Sequence, residues 1–339
     1  MKLPHLSTHF IPTSRRHFLA SAGILCLSTL GARKAAADAA YPSKPIKMIH
    51  AFAPGSGTDN TGRLIAERLS QKLGQPVVVE NKPGANMIIG SEYVARQPGD
   101  GYTMLMVTLD NLGINPSLYR NPGYTPKDFD PITLVGLLPL VLMASTGFKY
   151  NTLAEMKQAS NATKRPFTFG TWGVGSVAHL VGELIRMEVD IAFDFVPFQG
   201  AAPATTATLG GHVDVTIASA FTSSQNIKSG KAKAIAIGGV SRSADLPQVP
   251  TFVELGYPKI EATQWHGVAV RAGGQQAIVD RLYGEIQSIL TEPESQERLL
   301  RTGYSKIDGR SPAAFASFIA AEAQTWAGVV KASGIKAER

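Results

Sequence analysis

Residues 46–73 read IKMIHAFAPGSGTDNTGRLIAERLSQKL, and this stretch predicts a strand, a loop and a helix in succession. The apolar run at 46–52 is strand-like, and turn-forming residues at 53–57 follow it directly. Thr58 or Asp59 is expected to cap the helix. The apolar side chains of the helix recur at i, i+4 and i+8, at Ile65, Leu69 and Leu73.

The same order recurs later in the chain. Residues 167–171 are strand-like, Gly173 and Gly175 mark a turn, and Ser176 is expected to cap a helix. That helix places apolar residues on one face, at Val177, Leu180, Val181, Leu184 and Ile185. Further strand-like runs occupy residues 76–79, 103–107, 131–144, 213–218 and 232–237. Strands that alternate with helices predict an α/β fold with a parallel sheet.

Length and composition are those of an ordinary globular protein. The chain has 339 residues, of which 44% are hydrophobic and 17% charged, so extensive disorder and fibrous repeats are excluded. At about 150 residues per domain, the length predicts two domains. The formal net charge is +7, but residues 1–37 contribute five basic residues and no acidic one. The remaining chain has a net charge of only +2, so nucleic acid is not a predicted partner.

Residues 1–37 predict a twin-arginine signal peptide. Residues 14–19 read SRRHFL, and the apolar run that follows is too short to span a bilayer. Small residues then predict cleavage near Ala37 or Ala39. The alternatives are a buried N-terminal helix and a lipid anchor at Cys26. Cleavage would remove the single cysteine, which excludes disulfides and thiolate metal sites. The predicted location is therefore the periplasm.

The sequence lacks the common motifs of cofactor and catalytic chemistry. Neither glycine-containing loop reads GxGxxG, no P-loop motif occurs, and neither Ser56 nor Ser176 lies in GxSxG. The mature histidines are widely spaced and form no HExxH motif, so no zinc site is expected. They are His50, His179, His212 and His266. We therefore predict no catalytic residue, no metal ligand and no cofactor.

The two strand–loop–helix units suggest an anion-binding site. The first N–H groups of a helix lack intrahelical partners and carry partial positive charge, so they favour an anion. Glycine in the loop lets a ligand approach the backbone closely. The loops at 55–58 and 173–176 would grip one small anion if they face each other across a cleft. The alternative is that both are ordinary turns.

Several sequence blocks, in order along the chain, resemble one family. Residues 41–59 read YPSKPIKMIHAFAPGSGTD, which is similar to the opening of the tripartite tricarboxylate transporter receptors, also called Bug-type solute-binding proteins. Residues 75–85 (QPVVVENKPGA) and 115–119 (NPSLY) are similar to further blocks of that family. So are VPFQGAAP at 196–203 and LPQVPTFVE at 246–254.

The resemblance implies a two-domain periplasmic binding protein fold, type II-like. Each domain would have a mostly parallel sheet flanked by helices, with the ligand cleft between the domains. Domain 1 would comprise residues 41–143 plus 263–339, and domain 2 residues 144–262. Such receptors close on a small carboxylate ligand and deliver it to integral membrane subunits of a tripartite tricarboxylate-type transporter. We expect the chain to be a monomer.

The resemblance also implies the ligand-binding residues, because the family holds a carboxylate mainly through backbone groups and waters in two loops. The first loop would contribute Ala53, Pro54, Gly55, Ser56, Gly57 and Thr58. The second would contribute Thr171, Gly173, Gly175, Ser176 and His179, although His179 alternatively is a core or capping residue. Gly200 and Ala201 lie at a third strand-to-helix turn, and Asn111 lies in a loop expected to reach the cleft.

The chain departs from the family at several nearby positions. Ser56 replaces a glycine, so its hydroxyl either adds a ligand donor or caps the helix. Met87 and Ile88, in a loop usually richer in glycine, either line the cleft or pack in the core. Asp110 either selects a ligand amine or hydroxyl, or is a solvated loop residue. Asp59 would repel a carboxylate, so we interpret it as helix-capping.

Two other function classes remain open on the sequence alone. A periplasmic sensor would use the same closed form to report its ligand to a membrane signalling receptor. A periplasmic hydrolase or isomerase would need a general base or nucleophile with a shifted pKa in the cleft. Ligand turnover distinguishes such an enzyme from a binding protein.

Overall fold

Strands and helices alternate along residues 41–337, the part of the chain that the computed structural model describes. The predicted signal peptide at 1–37 and its cleavage sites lie outside these residues. The fold described below is that of the compact unit Lys44–Arg339. None of the helices between residues 41 and 337 has both the length and the apolar content of a membrane span.

The strands confirm the predicted runs to within about two residues at most ends. They are β1 (Ile46–His50), β2 (Val77–Asn81), β3 (Thr103–Thr108), β4 (Phe129–Ser145), β5 (Phe167–Thr171), β6 (Phe193–Pro197), β7 (Val215–Ser219), β8 (Ala232–Ile237), β9 (Thr263–Arg271) and β10 (Lys306–Ile307). Of these, β6, β9 and β10 have no counterpart among the runs predicted from periodicity, whereas β5 and β8 match them residue for residue.

The helices lie between and after these strands. They are α1 (Gly57–Leu73), α2 (Ile88–Ala95), α3 (Asn115–Leu118), α4 (Leu153–Thr163), α5 (Val177–Ile185), α6 (Ala201–Leu209), α7 (Ala220–Lys228), α8 (Gln276–Thr291), α9 (Pro293–Leu300) and α10 (Pro312–Ser333). Short π-helical turns occupy Leu109–Ile114 and Arg186–Asp190, and a 3₁₀ turn occupies Pro126–Asp128.

The sheet is mixed, and its strand order is β2-β1-β3-β9-β4-β7-β5-β6. Pairing is parallel between β1 and both β2 and β3, and between β5 and both β6 and β7. Pairing around β4 and β9 is antiparallel, and β8 and β10 also pair with β4. The predicted α/β class is confirmed. The antiparallel centre arises because β4 and β9 connect the two parallel groups directly, without crossover helices.

The long strand β4 brings the carboxyl ends of the two parallel groups toward each other. Its first part, through Pro139, pairs with β9, and its second part, from Leu140, pairs with β7 and β8. Strands β1 and β3 run in the direction of β4, whereas β5 and β7 run against it. The loops that follow β1 and β5 therefore point toward the same middle region of β4. The predicted domain boundaries at 143/144 and 262/263 stay a prediction.

Helix α1 shows how local sequence and packing agree. It ends at Gly74, whose left-handed backbone (φ 65°) lets its N–H donate to the Ser70 carbonyl. Leu64, Ile65 and Leu69 are at most 4% exposed. Burying one such side chain stabilises the fold by about 1.5–3 kcal/mol, so this face holds the start of α1 in place.

Candidate functional site

The first loop connects β1 to α1, and Ser56 caps the helix. Its Oγ accepts a hydrogen bond of 3.2 Å from the Asp59 N–H, and its backbone is extended. The prediction that Thr58 or Asp59 is the cap is wrong, because the helix already begins at Gly57. Of the two roles considered for the Ser56 hydroxyl, the structure shows capping.

The Asp59 carboxylate is directed into the protein. Its Oδ2 accepts from Gly55 N–H at 2.9 Å and from Arg63 Nε at 2.8 Å. Its Oδ1 accepts from Asn81 Nδ2 at 2.8 Å and lies 3.2 Å from His50 Nδ1. Burial opposes ionisation, but the hydrogen bonds from Arg63, Asn81 and Gly55 outweigh it and lower the pKa of Asp59 to about 2. The charge of Asp59 is thus compensated by Arg63, and its hydrogen bond with the Gly55 N–H holds the turn in place.

The outer side of the first loop is open and offers N–H groups. Ala53, Pro54, Gly55 and Gly57 are exposed. A Cβ added at Gly57 would meet no atom within 4 Å. Among residues 41–337, the N–H groups of Gly57 and Thr58 have no hydrogen-bond acceptor. Because they lie at the amino end of a 17-residue helix, they suit an anion.

The second loop connects β5 to α5, and Ser176 caps α5 as predicted. Its Oγ accepts from the His179 N–H at 3.4 Å and donates to the Gly173 carbonyl at 2.8 Å. The turn uses glycines with positive φ, 124° at Gly173 and 75° at Gly175, which other residues rarely adopt. Gly175 is also buried. A Cβ added there would lie only 2.1 Å from a side-chain carbon of Leu118.

His179 folds back on this loop. Its Nδ1 accepts a hydrogen bond of 3.0 Å from the Gly175 N–H, so in the neutral ring the proton lies on Nε2. The ring packs against Phe195 at a centroid distance of 4.6 Å. Burial lowers the pKa of His179 to about 4. The contact with Gly175 is the capping role considered from the sequence, and the Nε2–H remains as a donor.

The other predicted site residues are the third turn, at Gly200 and Ala201, and Asn111. Gly200 (φ 113°) lies directly before α6, which begins at Ala201. Just before this turn, the Phe198 N–H donates to the carbonyl of Thr171, at the end of β5, over 3.0 Å. The third turn therefore lies beside the second loop. Asn111, in contrast, is fully buried and uses its side chain within the protein. Its Oδ1 accepts from the Thr108 N–H and its Nδ2 donates to Ser91 Oγ.

Two further alternatives from the sequence are decided by burial. Ile88 is fully buried and belongs to the core, and Met87 is partly buried with its Sδ 3.5 Å from Thr108 Oγ1. Asp110 is 1% exposed, so it is not a solvated loop residue. Its Oδ1 accepts from the Val177 N–H, and its Oδ2 accepts from Gln264 Nε2.

Gln264 and His266, on one face of β9, connect the two loops to the same strand. His266 Nε2 lies 3.1 Å from Thr58 Oγ1, at the start of α1. Gln264 contacts Asp110, which in turn contacts the start of α5. Residues i and i+2 of a strand share a face and lie about 7 Å apart, so the two loops are anchored close together. Sequence reasoning assigned neither residue to the site, although Gln264, Trp265 and His266 alternate polar and apolar residues within TQWHGVAVR.

A separate groove of about 670 Å³ lies at the opposite end of β5. Its lining includes Phe148, Lys149, Tyr150, Arg165 and Phe167. None of the predicted ligand-binding residues lines it. The groove is therefore separate from the two loops.

Comparisons with known proteins agree on one family. The model for the "Tripartite tricarboxylate transporter family receptor" matches residues 61–335. The protein BugT of Bordetella pertussis (strain Tohama I) is 35% identical over 324 residues, covering 94% of this chain and 96% of BugT. The solved periplasmic binding protein BugD is 34% identical with a TM-score of 0.79, covering 88% of this chain and 100% of BugD.

A structure of Rpa4515 from R. palustris with adipate is 29% identical, with a TM-score of 0.81, and covers 87% of this chain and 99% of Rpa4515. These similarities extend over nearly the whole described fold. They confirm the resemblance seen in the sequence and the predicted periplasmic binding protein architecture. The chain therefore belongs to the family of tripartite tricarboxylate transporter receptors.

Proposed function

We propose that this solute-binding receptor captures a small carboxylate at the amino end of α1 and delivers it to integral membrane subunits of a tripartite tricarboxylate-type transporter. The observation that carries the proposal is the pair of Gly57 and Thr58 N–H groups, which have no acceptor among residues 41–337. A carboxylate leaves water only when hydrogen bonds replace its hydration, and these donors supply such bonds.

Closure of two domains completes the proposed mechanism. Residues 41–143 plus 263–339 would form one domain and residues 144–262 the other, in a Venus-flytrap arrangement. The division of β4 near Pro139 and Leu140 supports a hinge there, since each part pairs with different strands. The ligand stabilises the closed state only by binding it more tightly than the open state. The second loop and the turn at Gly200 would approach the ligand on closure.

Family membership also bears on where the receptor acts. The solved relative BugD is named a periplasmic binding protein, which supports a periplasmic location. We propose export by the twin-arginine route, with cleavage near Ala37 or Ala39. We also propose that the receptor acts as a monomer and without a cofactor. A role as a sensor for a membrane signalling receptor would use the same binding event.

The contacts of the buried carboxylates favour a receptor over a hydrolase or isomerase. Asp59 and Asp110 both accept hydrogen bonds from protein N–H groups at each oxygen. A general base needs a lone pair within reach of the substrate. Both carboxylates are only 1% exposed and are bonded to donors of the protein, and the matched relatives are receptors and periplasmic binding proteins.

A thermal-shift screen with a matched pair of variants tests the proposal. Gly57→Trp would cover the free N–H groups of the first loop, whereas Gly284→Trp adds the same bulk on α8. Both glycines are exposed, and an added Cβ at either meets no atom within 4 Å, so a larger side chain can extend into solvent there. A ligand at a hundredfold excess over its Kd adds about 2.7 kcal/mol of stability.

We expect a carboxylate to raise the melting temperature of the wild type and of Gly284→Trp, but not of Gly57→Trp. The carboxylate should be recovered chemically unchanged. An unaltered response in Gly57→Trp would contradict the proposed site. Turnover of the carboxylate would support the enzyme instead of the receptor.

A further inference from the structure

Aromatic side chains follow three strands whose carboxyl ends meet at the middle of β4. Phe52 lies two residues after β1, Trp172 directly after β5, and Phe221 two residues after β7. Strand β7 reaches that region because Ser219, its last residue, pairs with Leu140. Phe52 and Trp172 are partly buried, and Phe221 is 37% exposed. Each ring is therefore held by the protein and still presents part of its surface to solvent.

A hydrogen bond fixes the indole of Trp172. Its Nε1–H donates to the carbonyl of Ile217 in β7 over 3.1 Å. The ring therefore reaches from the end of β5 to the neighbouring strand that leads into α7. A tryptophan whose N–H already has a partner offers a ligand an apolar surface rather than a donor. Val174, two residues later in the second loop, is 47% exposed, so the outside of this loop is apolar as well.

A series of ring contacts connects the first loop to Phe221. The centroid of the Phe52 ring lies 6.5 Å from that of His266, and the His266 centroid lies 5.7 Å from that of Tyr304. A Cβ added at Gly303, the residue before Tyr304, would lie only 2.9 Å from Phe221 Cβ. Phe221 therefore packs beside the segment that carries Tyr304. The aromatic groups thus extend from the first loop to the start of α7.

Backbone donors adjoin the rings in both loops. Phe52 reaches the amino end of α1 through His266, whose Nε2 lies 3.1 Å from Thr58 Oγ1. In the second loop, Trp172 is followed by N–H groups that have no acceptor within the described part of the chain. They are those of Gly173, Val174 and Ala178. A carboxylate bound at either loop therefore lies close to an aromatic ring.

The segments that carry these rings contain no charged residue. Residues 52–58, 171–179 and 219–222 include no Asp, Glu, Lys or Arg. Asp59, which follows the first segment, is buried and bonded to donors of the protein. The body of a ligand held by the loops would therefore meet aromatic and aliphatic carbon and the backbone, and no ion pair.

We infer that the ligand is a carboxylate with an aromatic body, and that Trp172 and Phe221 are specificity-determining residues that contact its ring. The inference rests on the proposed function, in which the loops bind the ligand carboxylate. Stacked or edge-to-face contact with one ring favours an aromatic ligand by about two- to tenfold beyond the effect of buried area. Acids with one carboxylate and acids with two share this preference.

Titration calorimetry with matched pairs of acids tests this selectivity. Each pair carries the same carboxylates on an aromatic or a saturated ring: benzoate and cyclohexanecarboxylate, phenylacetate and cyclohexylacetate, terephthalate and trans-cyclohexane-1,4-dicarboxylate. The saturated acids are no less apolar, so a preference for the aromatic acid reports ring contact rather than the burial of carbon. The measured quantity is the ratio of the Kd of the saturated acid to that of the aromatic acid.

The variants Trp172→Leu and Phe221→Leu remove one ring each and keep the site apolar, and Phe148→Leu is the control. Phe148 is partly buried and packs edge-on against Tyr150 and Phe167, at centroid distances of 5.5 and 5.7 Å, in the groove away from the loops. We expect a ratio above about five for the wild type and for Phe148→Leu, and a fall of at least about threefold in Trp172→Leu or in Phe221→Leu. Because Phe221 is exposed, its variant remains a test even if loss of the Trp172 hydrogen bond impairs folding.

Three results would overturn the inference, and they are distinguishable. A wild-type protein that binds the saturated acids at least as tightly as their aromatic partners contradicts the inference and leaves the proposed function intact. An unchanged ratio in both Trp172→Leu and Phe221→Leu contradicts the roles of these two residues. Failure of every carboxylate, including aliphatic acids such as malate and adipate, contradicts the proposed function and this inference with it.

Discussion

Thr58 Oγ1 and His266 Nε2 lie 3.1 Å apart, although 208 residues separate them in the chain. His266 Nδ1 lies 2.7 Å from the hydroxyl of Tyr304, and that hydroxyl lies 3.3 Å from Thr61 Oγ1. All four side chains are buried. Strand β9 therefore fixes the start of α1 through a polar network, and with it the N–H groups proposed to bind the ligand.

Thr58→Val should lower stability, because it leaves the buried Nε2 of His266 without its partner. We expect a loss of about 1–3 kcal/mol in the free energy of unfolding, measured by urea denaturation. Thr206→Val is the control, since Thr206 is exposed and its Oγ1 donates to the Ala202 carbonyl of its own helix. Equal losses in the two variants would contradict the network.

Asp59→Ala should be more damaging, because several donors, one of them fully buried, lose their acceptor together. Gly55 N–H, Asn81 Nδ2 and His50 Nδ1 all contact this carboxylate. We expect a loss of about 3 kcal/mol or more. Asp280→Ala, on the exposed face of α8, should change stability by less than about 0.5 kcal/mol. A similar small loss in Asp59→Ala would contradict the role of this carboxylate in holding the first loop.

Three buried histidines predict a loss of stability in mild acid. Burial lowers the pKa to about 4 for His50 and His179 and to about 3 for His266, from an ordinary value of 6.5. Above pH 6.5 both the folded and unfolded chains hold these rings neutral, so they impose no penalty. Below that pH the unfolded chain binds protons that the folded chain refuses, so stability falls until about pH 4.

If all three rings stay neutral in the folded chain, the free energy of unfolding should fall by about 4 kcal/mol per pH unit near pH 5. Urea unfolding at pH 7.5, 6.0 and 5.0 measures it. The Asp59 carboxylate, with its pKa lowered to about 2, contributes no loss until lower pH. Stability that stays constant from pH 7.5 to 5.0 would contradict the neutral, buried state of the histidines.

Glycine substitutions should distinguish the two loops. Gly175 has a φ of 75°, and a Cβ there would lie 2.1 Å from Leu118 Cδ2, so Gly175→Ala should destabilise the protein by about 2 kcal/mol or more. Gly57→Ala meets no atom and should be neutral or slightly stabilising. Differential scanning calorimetry measures both. A Gly175→Ala protein as stable as Gly57→Ala would contradict the packing of the second loop.

Much of the fold was predictable because its signals are local. The strand–loop–helix units around residues 46–73 and 167–185 depend on apolar periodicity, turn-forming residues and a serine cap, and each is visible in a short window. The error at the start of α1 has the same origin. Ser56, Thr58 and Asp59 are all good capping residues, and only the backbone conformation of Ser56 decides among them.

The candidate site was only partly predictable, because its supporting contacts are distant in sequence. Asp110 and Gln264 are 154 residues apart, and no local pattern relates them. Asn111 illustrates the converse: its position in the loop suggested ligand contact, whereas the fold uses its amide to hold Thr108 and Ser91. Burial and partner identity, which decide such roles, become visible only when β3, β9 and α5 are assembled.

A crystal structure with the carboxylate that gives the largest melting shift tests the central claim most directly. The account predicts a carboxylate oxygen at hydrogen-bond distance, about 2.7–3.2 Å, from the backbone nitrogen of Gly57 or Thr58. A ligand bound instead in the groove of Lys149 and Arg165, with no contact to the start of α1, would contradict it.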